Sequence, residues 1–299
     1  MAGEMASETA GVSDSGIRRV GIVGGGQMGG GVAEVTAKSG LPTVVREISP
    51  ELAEKSRAGI ERSLGRALDR GKIDEAAHAS TLANLSFTTD LADLADCDLV
   101  VEAVVESFDL KAAIFRDLDA IVTSPGAILA TNTSSIPIID IAMQTGRPQN
   151  VVGMHFFNPA PVMALVEVIP SVRTDDAVTA RVTAFATDVL GKTVVAAKDR
   201  AGFVVNMLLV PYLLAAMRML EDGHASAEDI DTGMTLGAGH PMGPLVLSDL
   251  IGLDTMLLVG ETLLAEYGDP SYAPPPLLRR MVAAGRLGRK TGRGFYDYS

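Results

Sequence analysis

From Arg18 to about Lys198, short apolar runs of strand length alternate with longer stretches whose apolar residues recur at helical spacing. The runs are RRVGIVG, PTVVREI, LSFTTD, DLVVEAV, AILATNT, VVGMHFF, ALVEVIP and, later, TVVAAKD. Strands that alternate with helices build an open, mostly parallel sheet covered by helices on both faces. After Lys198 the strand-like runs stop, and long stretches rich in Leu, Met and Ala take over, punctuated by Gly and Pro. The pattern predicts an α/β chain in two parts: a doubly wound sheet domain over 17–199 and an all-helical domain over 200–299. The first sixteen residues, MAGEMASETAGVSDSG, are small, polar and acidic, and are expected to form a disordered tail.

The first strand ends in a glycine pattern. Gly24, Gly26 and Gly29 stand as G-x-G-x-x-G between the apolar run VGIV and the helical stretch that holds Val32, Ala33 and Val35. Strand, tight turn and helix in that order form the context of a dinucleotide site. Gly24 permits the turn, Gly26 lets backbone approach a pyrophosphate, and Gly29 lets the helix lie close on the strand. The free N–H groups and positive dipole end of the helix then face phosphate. The plainer alternative is a glycine-rich turn with no ligand.

The second run ends at Glu47, eighteen residues past Gly29. A carboxylate there hydrogen-bonds the ribose hydroxyls of NAD and repels the extra phosphate of NADP. Arg46, next to it, would welcome that phosphate; successive strand residues point to opposite faces, so one of the two faces the ribose. NAD and Glu47 are the preferred reading. DLVVEAVVES puts Glu102 and Glu106 at and just past another strand end, where ligands of such sheets gather.

Composition narrows the partners. The chain has 299 residues, 47% hydrophobic and 21% charged, with net charge -12, which argues against general affinity for nucleic acid or anionic membrane. A polyanionic ligand then needs a local basic patch. Arg62, Arg66 and Arg70 supply one at i, i+4, i+8, although like charges at that spacing cost roughly 0.2–0.5 kcal/mol per pair. The stripe reads either as a site for the nucleotide end of coenzyme A or as a solvated face offset by Glu51, Glu54 and Glu61. The single cysteine, Cys97, suits a reducing compartment, and the first residues carry neither a secretory nor a mitochondrial pattern, so a cytoplasmic location is expected. FVVNMLLVPYLLAAMRML, over 203–220, is interrupted by Asn206, Pro211 and Arg218 and is read as a helix buried between domains or subunits. No metal is expected.

The polar cluster Thr131 to Ser135 closes the strand in ILATNTSSIPI, and His155 follows twenty-one residues after Ser134. A run broken by Pro159 and Pro161 then leads to Glu167. If the two runs pair, a carboxylate on one imidazole nitrogen fixes the tautomer and leaves the other to accept a substrate proton. An alcohol oxidation by nicotinamide needs that base. A satisfied core histidine is the competing reading of His155, and His240 in GHPMGP is the rival base. Asn206 is the polar exception in its apolar helix, and a buried amide there needs a hydrogen-bond partner or a cleft to face.

With those residues in view the chain resembles the 3-hydroxyacyl-CoA dehydrogenase family, and within it the short bacterial 3-hydroxybutyryl-CoA dehydrogenases. The resemblance runs from about Arg18 to Tyr298 through GGGQMGGGVAE, VVEAVVE, TNTSSIPI, GMHFFNPAPVM, LVEVI, GFVVNMLLVPY, HPMGPLVLSDLIGLDT and GRKTGRGFYDY. It implies a Rossmann domain followed by a helical domain that forms a homodimer. It also implies reversible NAD-dependent oxidation of a (S)-3-hydroxyacyl-CoA, with 3-hydroxybutyryl-CoA the expected substrate, in fatty-acid or butanoate metabolism. By the same resemblance His155 is the general base, Glu167 its orienting partner, and Ser134 and Asn206 hold the substrate. Gly24, Gly26, Gln27, Met28, Gly29, Glu47, Glu106, Lys111, Asn132, Ser134, Asn158 and Lys290 fall at NAD contacts, and Ser63 and Arg70 at coenzyme A contacts. Three departures stand out: Glu47 where many members have Asp, Ala201 where a proline is common, and Met207 where an arginine is common. They bear on reach, hinge stiffness and acyl-pocket shape. Two alternatives remain: a dehydrogenase of a related hydroxyacyl group on acyl carrier protein, and a non-catalytic NAD-binding relative.

Overall fold

The computed structural model describes residues 15–299. Of the tail expected over 1–16, residues 1–14 lie outside the described residues. Ser15, the next residue of that expected tail, is instead buried, and its carbonyl accepts a 2.9 Å hydrogen bond from Arg181 Nε. The chain divides into two compact units, one reaching Asp199 and the other Arg200–Ser299.

The first unit carries β1 (Val20–Val23), β2 (Thr43–Arg46), β3 (Leu85–Thr88) and β4 (Leu99–Glu102). It also carries β5 (Ile128–Thr131), β6 (Val151–Phe156), β7 (Leu165–Pro170) and β8 (Thr193–Ala196). They form one sheet in the order β3-β2-β1-β4-β5-β6-β7-β8. Every neighbouring pair is parallel except β6 and β7, which run antiparallel. Each predicted apolar run became a strand, and the mostly parallel, doubly wound sheet is the one the alternation implied.

The intervening helices are α1 (Gln27–Lys38), α2 (Pro50–Asp69) and α3 (Glu75–Ala83), then α4 (Phe108–Ile121), α5 (Ile138–Ala142) and α6 (Asp176–Ala184). Their starts follow local chemistry. The Ser49 side chain accepts from Leu52 N ahead of Pro50, and Asp74 accepts from Ala77 N at 2.7 Å. One core runs through Val20, Ile22, Leu99, Val101, Ile128, Ala130, Val152 and Met154, alternate residues of four strands.

β1 lies between β2 and β4, so the chain turns to one side after β1 and to the other after β3. That is a topological switch point, and the crevice it opens lies beyond the carboxyl ends of the strands. The glycine turn sits there. Gly24 has φ +90°, and a Cβ on it would stand 2.9 Å from Val104 Cγ1 and 3.0 Å from the Ala103 carbonyl, just past β4.

The second unit comprises α7 (Val205–Glu221), α8 (Ala227–Thr232), α9 (Pro244–Ile251), α10 (Leu253–Tyr267) and α11 (Pro276–Ala283). Its core gathers Leu213, Leu214, Met217, Leu245, Leu253, Met256, Leu263 and Leu278. The apolar stretch read as a buried helix is α7; one face supplies that core, while Leu208 and Met219 on it are exposed. Two buried carboxylates organise the rest. Asp231 accepts from Leu245 N and Val246 N at the start of α9, and Asp249 accepts from Phe295 N, Tyr296 N and Tyr298 Oη, which pins the C-terminal GFYDY segment. Among the described residues no helix is long and apolar enough to cross a membrane.

A Cβ on Gly29 would meet the Gly24 carbonyl oxygen at 1.8 Å, backbone against backbone. Gly29→Ala is therefore expected to lower stability by about 1–3 kcal/mol, the range of overpacked sites. Urea unfolding measures it; an unchanged midpoint would show that α1 does not need this approach.

Candidate active site

The turn after β1 offers a cradle. Gly26 precedes α1 with no side chain capping the helix, and nothing lies within 4 Å of a Cβ built on it. The first N–H groups of a twelve-residue helix, with its positive dipole end, therefore border open space. Glu47 turns back toward this point: Oε1 accepts from Gly25 N at 2.6 Å, and Oε2 from Ile48 N at 3.2 Å. Arg46 turns elsewhere, donating from Nε to the Thr89 carbonyl. Of the two rival side chains, the carboxylate stands at the glycine turn. An opening at a helix N-terminus, beside a carboxylate that can accept from ribose hydroxyls, fits a dinucleotide lacking a 2′-phosphate. Gln27, Gly25 and Gly26 line the adjoining cavity of about 450 Å³, whereas the Met28 side chain packs against the core.

The antiparallel pair places His155 directly opposite Glu167. Nδ1 of His155 and Oε2 of Glu167 are 2.7 Å apart, and both residues are buried. A carboxylate can only accept, so in the neutral ring the proton sits on Nδ1 and Nε2 carries the lone pair. Ser134 Oγ lies 3.1 Å from Nε2. Asn132 Oδ1 accepts from Phe156 N at 2.8 Å, so it ties the loop after β5 to β6.

Glu106 holds that loop from the other side. Its Oε1 accepts from Ser134 N (3.0 Å), Ser135 N (3.1 Å), Ser135 Oγ (3.0 Å) and Thr133 Oγ1. Burial raises its pKa, but the Lys111 charge and the bonds from Thr133, Ser134 and Ser135 outweigh it, so the carboxyl lies below its ordinary value. Lys111 itself is fully enclosed, with Nζ 2.7 and 2.9 Å from the Glu102 oxygens and 3.4 Å from Glu106 Oε2. The expectation that Lys111 meets the cofactor is thus corrected: two carboxylates surround its ammonium. Glu102, read as a strand-end candidate, is likewise buried.

Of the basic stripe, Arg62 and Arg66 line the cavity with Lys55, Ser63 and the Asn158–Pro159–Ala160–Pro161 turn. Arg70 does not line it; it falls just past α2 and is exposed. Two residues the sequence reading overlooked stand here, Glu34 and Ser56. Glu34 is buried on α1; burial pushes its carboxyl up, against a hydrogen bond from Ser63 and the charges of Lys38 and Arg66. A charge inside the apolar run VAEV was the available signal. Ser56 Oγ is buried beside Gly25 without a hydrogen-bond partner. In the second unit, Asn206 sits in the first turn of α7, half-buried. Lys290 Nζ contacts Asp254 at 2.5 and 2.6 Å, and His240 Nδ1 contacts Tyr212 Oη at 3.1 Å.

Known proteins share this fold. Residues 19–200 match the family model for 3-hydroxyacyl-CoA dehydrogenase, NAD binding domain, and 202–298 match 3-hydroxyacyl-CoA dehydrogenase, C-terminal domain. A 3-hydroxybutyryl-CoA dehydrogenase of Mycobacterium tuberculosis is 54% identical over 282 residues, 94% of this chain and 99% of the relative. The crystal structure of M. tuberculosis FadB2 superposes with TM-score 0.94 at 54% identity, covering 95% of this chain and 99% of that one. That of (S)-3-hydroxybutyryl-CoA dehydrogenase PaaH1 from Ralstonia eutropha gives 0.89 at 49% identity, covering 95% and 99%. The fold and site define an NAD-dependent dehydrogenase with a Rossmann domain. The chain belongs to the 3-hydroxyacyl-CoA dehydrogenase family, whose reaction is NAD-dependent oxidation of a 3-hydroxyacyl-CoA.

Because Glu106 is more acidic folded than its ordinary 4.5, its ionised form adds stability that is complete above that pH. The contribution is lost as pH falls from there through the lower native value. Glu106→Gln is expected to be less stable than the parent by about 1–2 kcal/mol at pH 7, with the gap narrowing as pH falls below the ordinary 4.5. Denaturant unfolding against pH checks this; a gap that widens in acid would contradict it.

Proposed function

We propose that this chain oxidises (S)-3-hydroxybutyryl-CoA and similar short-chain thioesters, with His155 as general base. The observation that carries the reading is the unbroken line Ser134 Oγ–His155 Nε2 and His155 Nδ1–Glu167 Oε2, at 3.1 and 2.7 Å. Bound NAD supplies the hydride acceptor. Nε2 of His155 takes the proton of the C3 hydroxyl as the hydride leaves that carbon. The imidazolium formed is stabilised by Glu167, a buried carboxylate whose attraction is little screened. In the reverse direction the same nitrogen returns the proton. The Ser134 hydroxyl, beside Nε2, holds the substrate oxygen in line. Asn206 is assigned to the thioester carbonyl by its place in the matching motif.

For the cofactor, the Gly24–Gly29 turn takes the pyrophosphate and Glu47 the adenosine ribose, with Gln27, Asn132, Asn158 and Glu106 lining the rest and Met28 supplying backbone. Lys111 serves through Glu106, and Lys290 is kept as a contact on the motif alone. Ser63 and Arg70, with Arg62 and Arg66, take the phosphates of coenzyme A; Ser63 and the positive charge of Arg62 and Arg66 bordering the cavity support this, and Arg70 is kept on the motif alone. The exposed apolar residues Leu208 and Met219 of α7, with Leu250 and Leu258, support a homodimer built by the helical unit. The single cysteine, buried and unpaired, suits the cytoplasm.

His155→Gln and Glu167→Gln are each expected to lower kcat for acetoacetyl-CoA reduction by about 10³-fold, within the span of lost general acid–base catalysis. The Kd for NADH should stay within about threefold of the parent, measured by fluorescence, since neither side chain belongs to the glycine turn. Full activity in either variant overturns the assignment. Rates over a ladder of acyl lengths, with NADH and NADPH in parallel and carrier-bound thioesters alongside, test the substrate. A preference for long chains, NADPH or carrier would redirect it.

A further inference from the structure

Behind the reacting groups lies a buried charge cluster with no place in the chemistry itself. Glu102, the last residue of β4, and Lys111, on α4, are both fully buried. Glu102 is saturated: Oε1 accepts from Val104 N at 2.7 Å, Oε2 from Thr131 Oγ1 at 2.7 Å, and both oxygens bind Lys111 Nζ. A buried ammonium is costly to leave unpaired, and here two carboxylates share it unequally. Glu102 takes the short bonds, and Glu106 stands at 3.4 Å. The consequence lies on the far oxygen of Glu106, which is left free of the lysine and gathers the N–H groups of Ser134 and Ser135.

We infer that Glu102 is a positioning residue for the reaction: by holding Lys111 to itself it keeps Glu106 on the loop, and so keeps Ser134 against His155. The inference rests on the function proposed above. With the Glu102 charge gone, the ammonium has a single carboxylate left to pair with and moves onto Glu106. Glu106 then turns from the Ser134 and Ser135 amides toward the lysine, and the Ser134 hydroxyl leaves its 3.1 Å contact with Nε2. A displacement of about 1 Å at a reacting group can cost about 10²-fold in rate. Glu102 itself touches none of the reacting groups, and its effect is transmitted through Ser134.

A double-mutant cycle tests this. Glu102→Gln, which keeps the shape and removes the charge, is expected to lower kcat for acetoacetyl-CoA reduction by at least 10-fold. KM for the thioester should remain within about threefold. In a Ser134→Ala background the same substitution should change kcat by less than about threefold, because the group it positions is already gone. Glu102→Asp, which restores the charge, should recover part of the rate. Losses that multiply in the double variant overturn the inference and reveal general loosening of the fold; so does a Glu102→Gln kcat within about twofold of the parent. If Glu102→Gln does not fold by circular dichroism, Thr131→Val replaces it in the cycle, since it removes one donor to Glu102 at nearly constant volume. It should then show at least a threefold loss that vanishes in the Ser134→Ala background, and an additive loss overturns the inference. The two readings fail separately: full activity in His155→Gln and Ser134→Ala removes the proposed chemistry, whereas additivity removes only the role of Glu102.

Discussion

The site depends on one reversal of chain direction. β7 runs against β6 in a sheet whose other neighbouring pairs are parallel, and that pairing sets His155 across from Glu167. Register has no slack here. A shift of one residue would turn every side chain of β7 to the opposite face, leaving a fully buried carboxylate without its imidazole. Burying such a group is tolerable only when it is paired or hydrogen-bonded, so the bond that orients the ring also helps to fix the register. The proposed catalytic geometry and local stability draw on the same contact.

Around that contact, the doubly wound sheet acts as a collector. The glycine turn follows β1, Glu47 follows β2, Glu106 follows β4, Asn132 and Ser134 follow β5, and His155 is the penultimate residue of β6. All lie at carboxyl ends, where a switch point between β1 and β4 parts the loops. Residues far apart in sequence meet because parallel strands deliver their ends to one edge. The polar loop after β5 is then tied down twice, by Asn132 to β6 and by Glu106 to the segment past β4.

Much of this could be read from residues alone, and the reasons are local. Each strand was a short apolar run bounded by turn residues, and the glycine turn announced itself through strand, spacing and helix. The rivalry between Arg46 and Glu47 is framed by strand alternation, yet only the Gly25 N–H bond shows which of the two stands at the glycine turn. The meeting of His155 and Glu167 needed a pairing direction, which no spacing encodes. The enclosure of Lys111 was hidden because its partners come from a strand end and a loop nine and five residues earlier. A lysine on an amphipathic helix is ordinarily solvated, and nothing nearby in sequence says otherwise. Arg70 stands apart from Arg62 and Arg66 in a way that spacing does not show: its N–H still bonds the Arg66 carbonyl, yet it closes α2 as the C-cap, exposed and outside the cavity that the other two line.

The proposed chemistry needs an imidazole whose Nδ1 proton is held by Glu167 and whose unprotonated Nε2 can accept the proton of a substrate hydroxyl. Nitrogen-15 NMR of the labelled histidine in the neutral ring tests this most directly. A protonated, Glu167-bonded Nδ1 and an unprotonated Nε2 are expected, with that preference lost in Glu167→Leu. A resting ring protonated at Nε2, or a tautomer indifferent to Glu167, would contradict it.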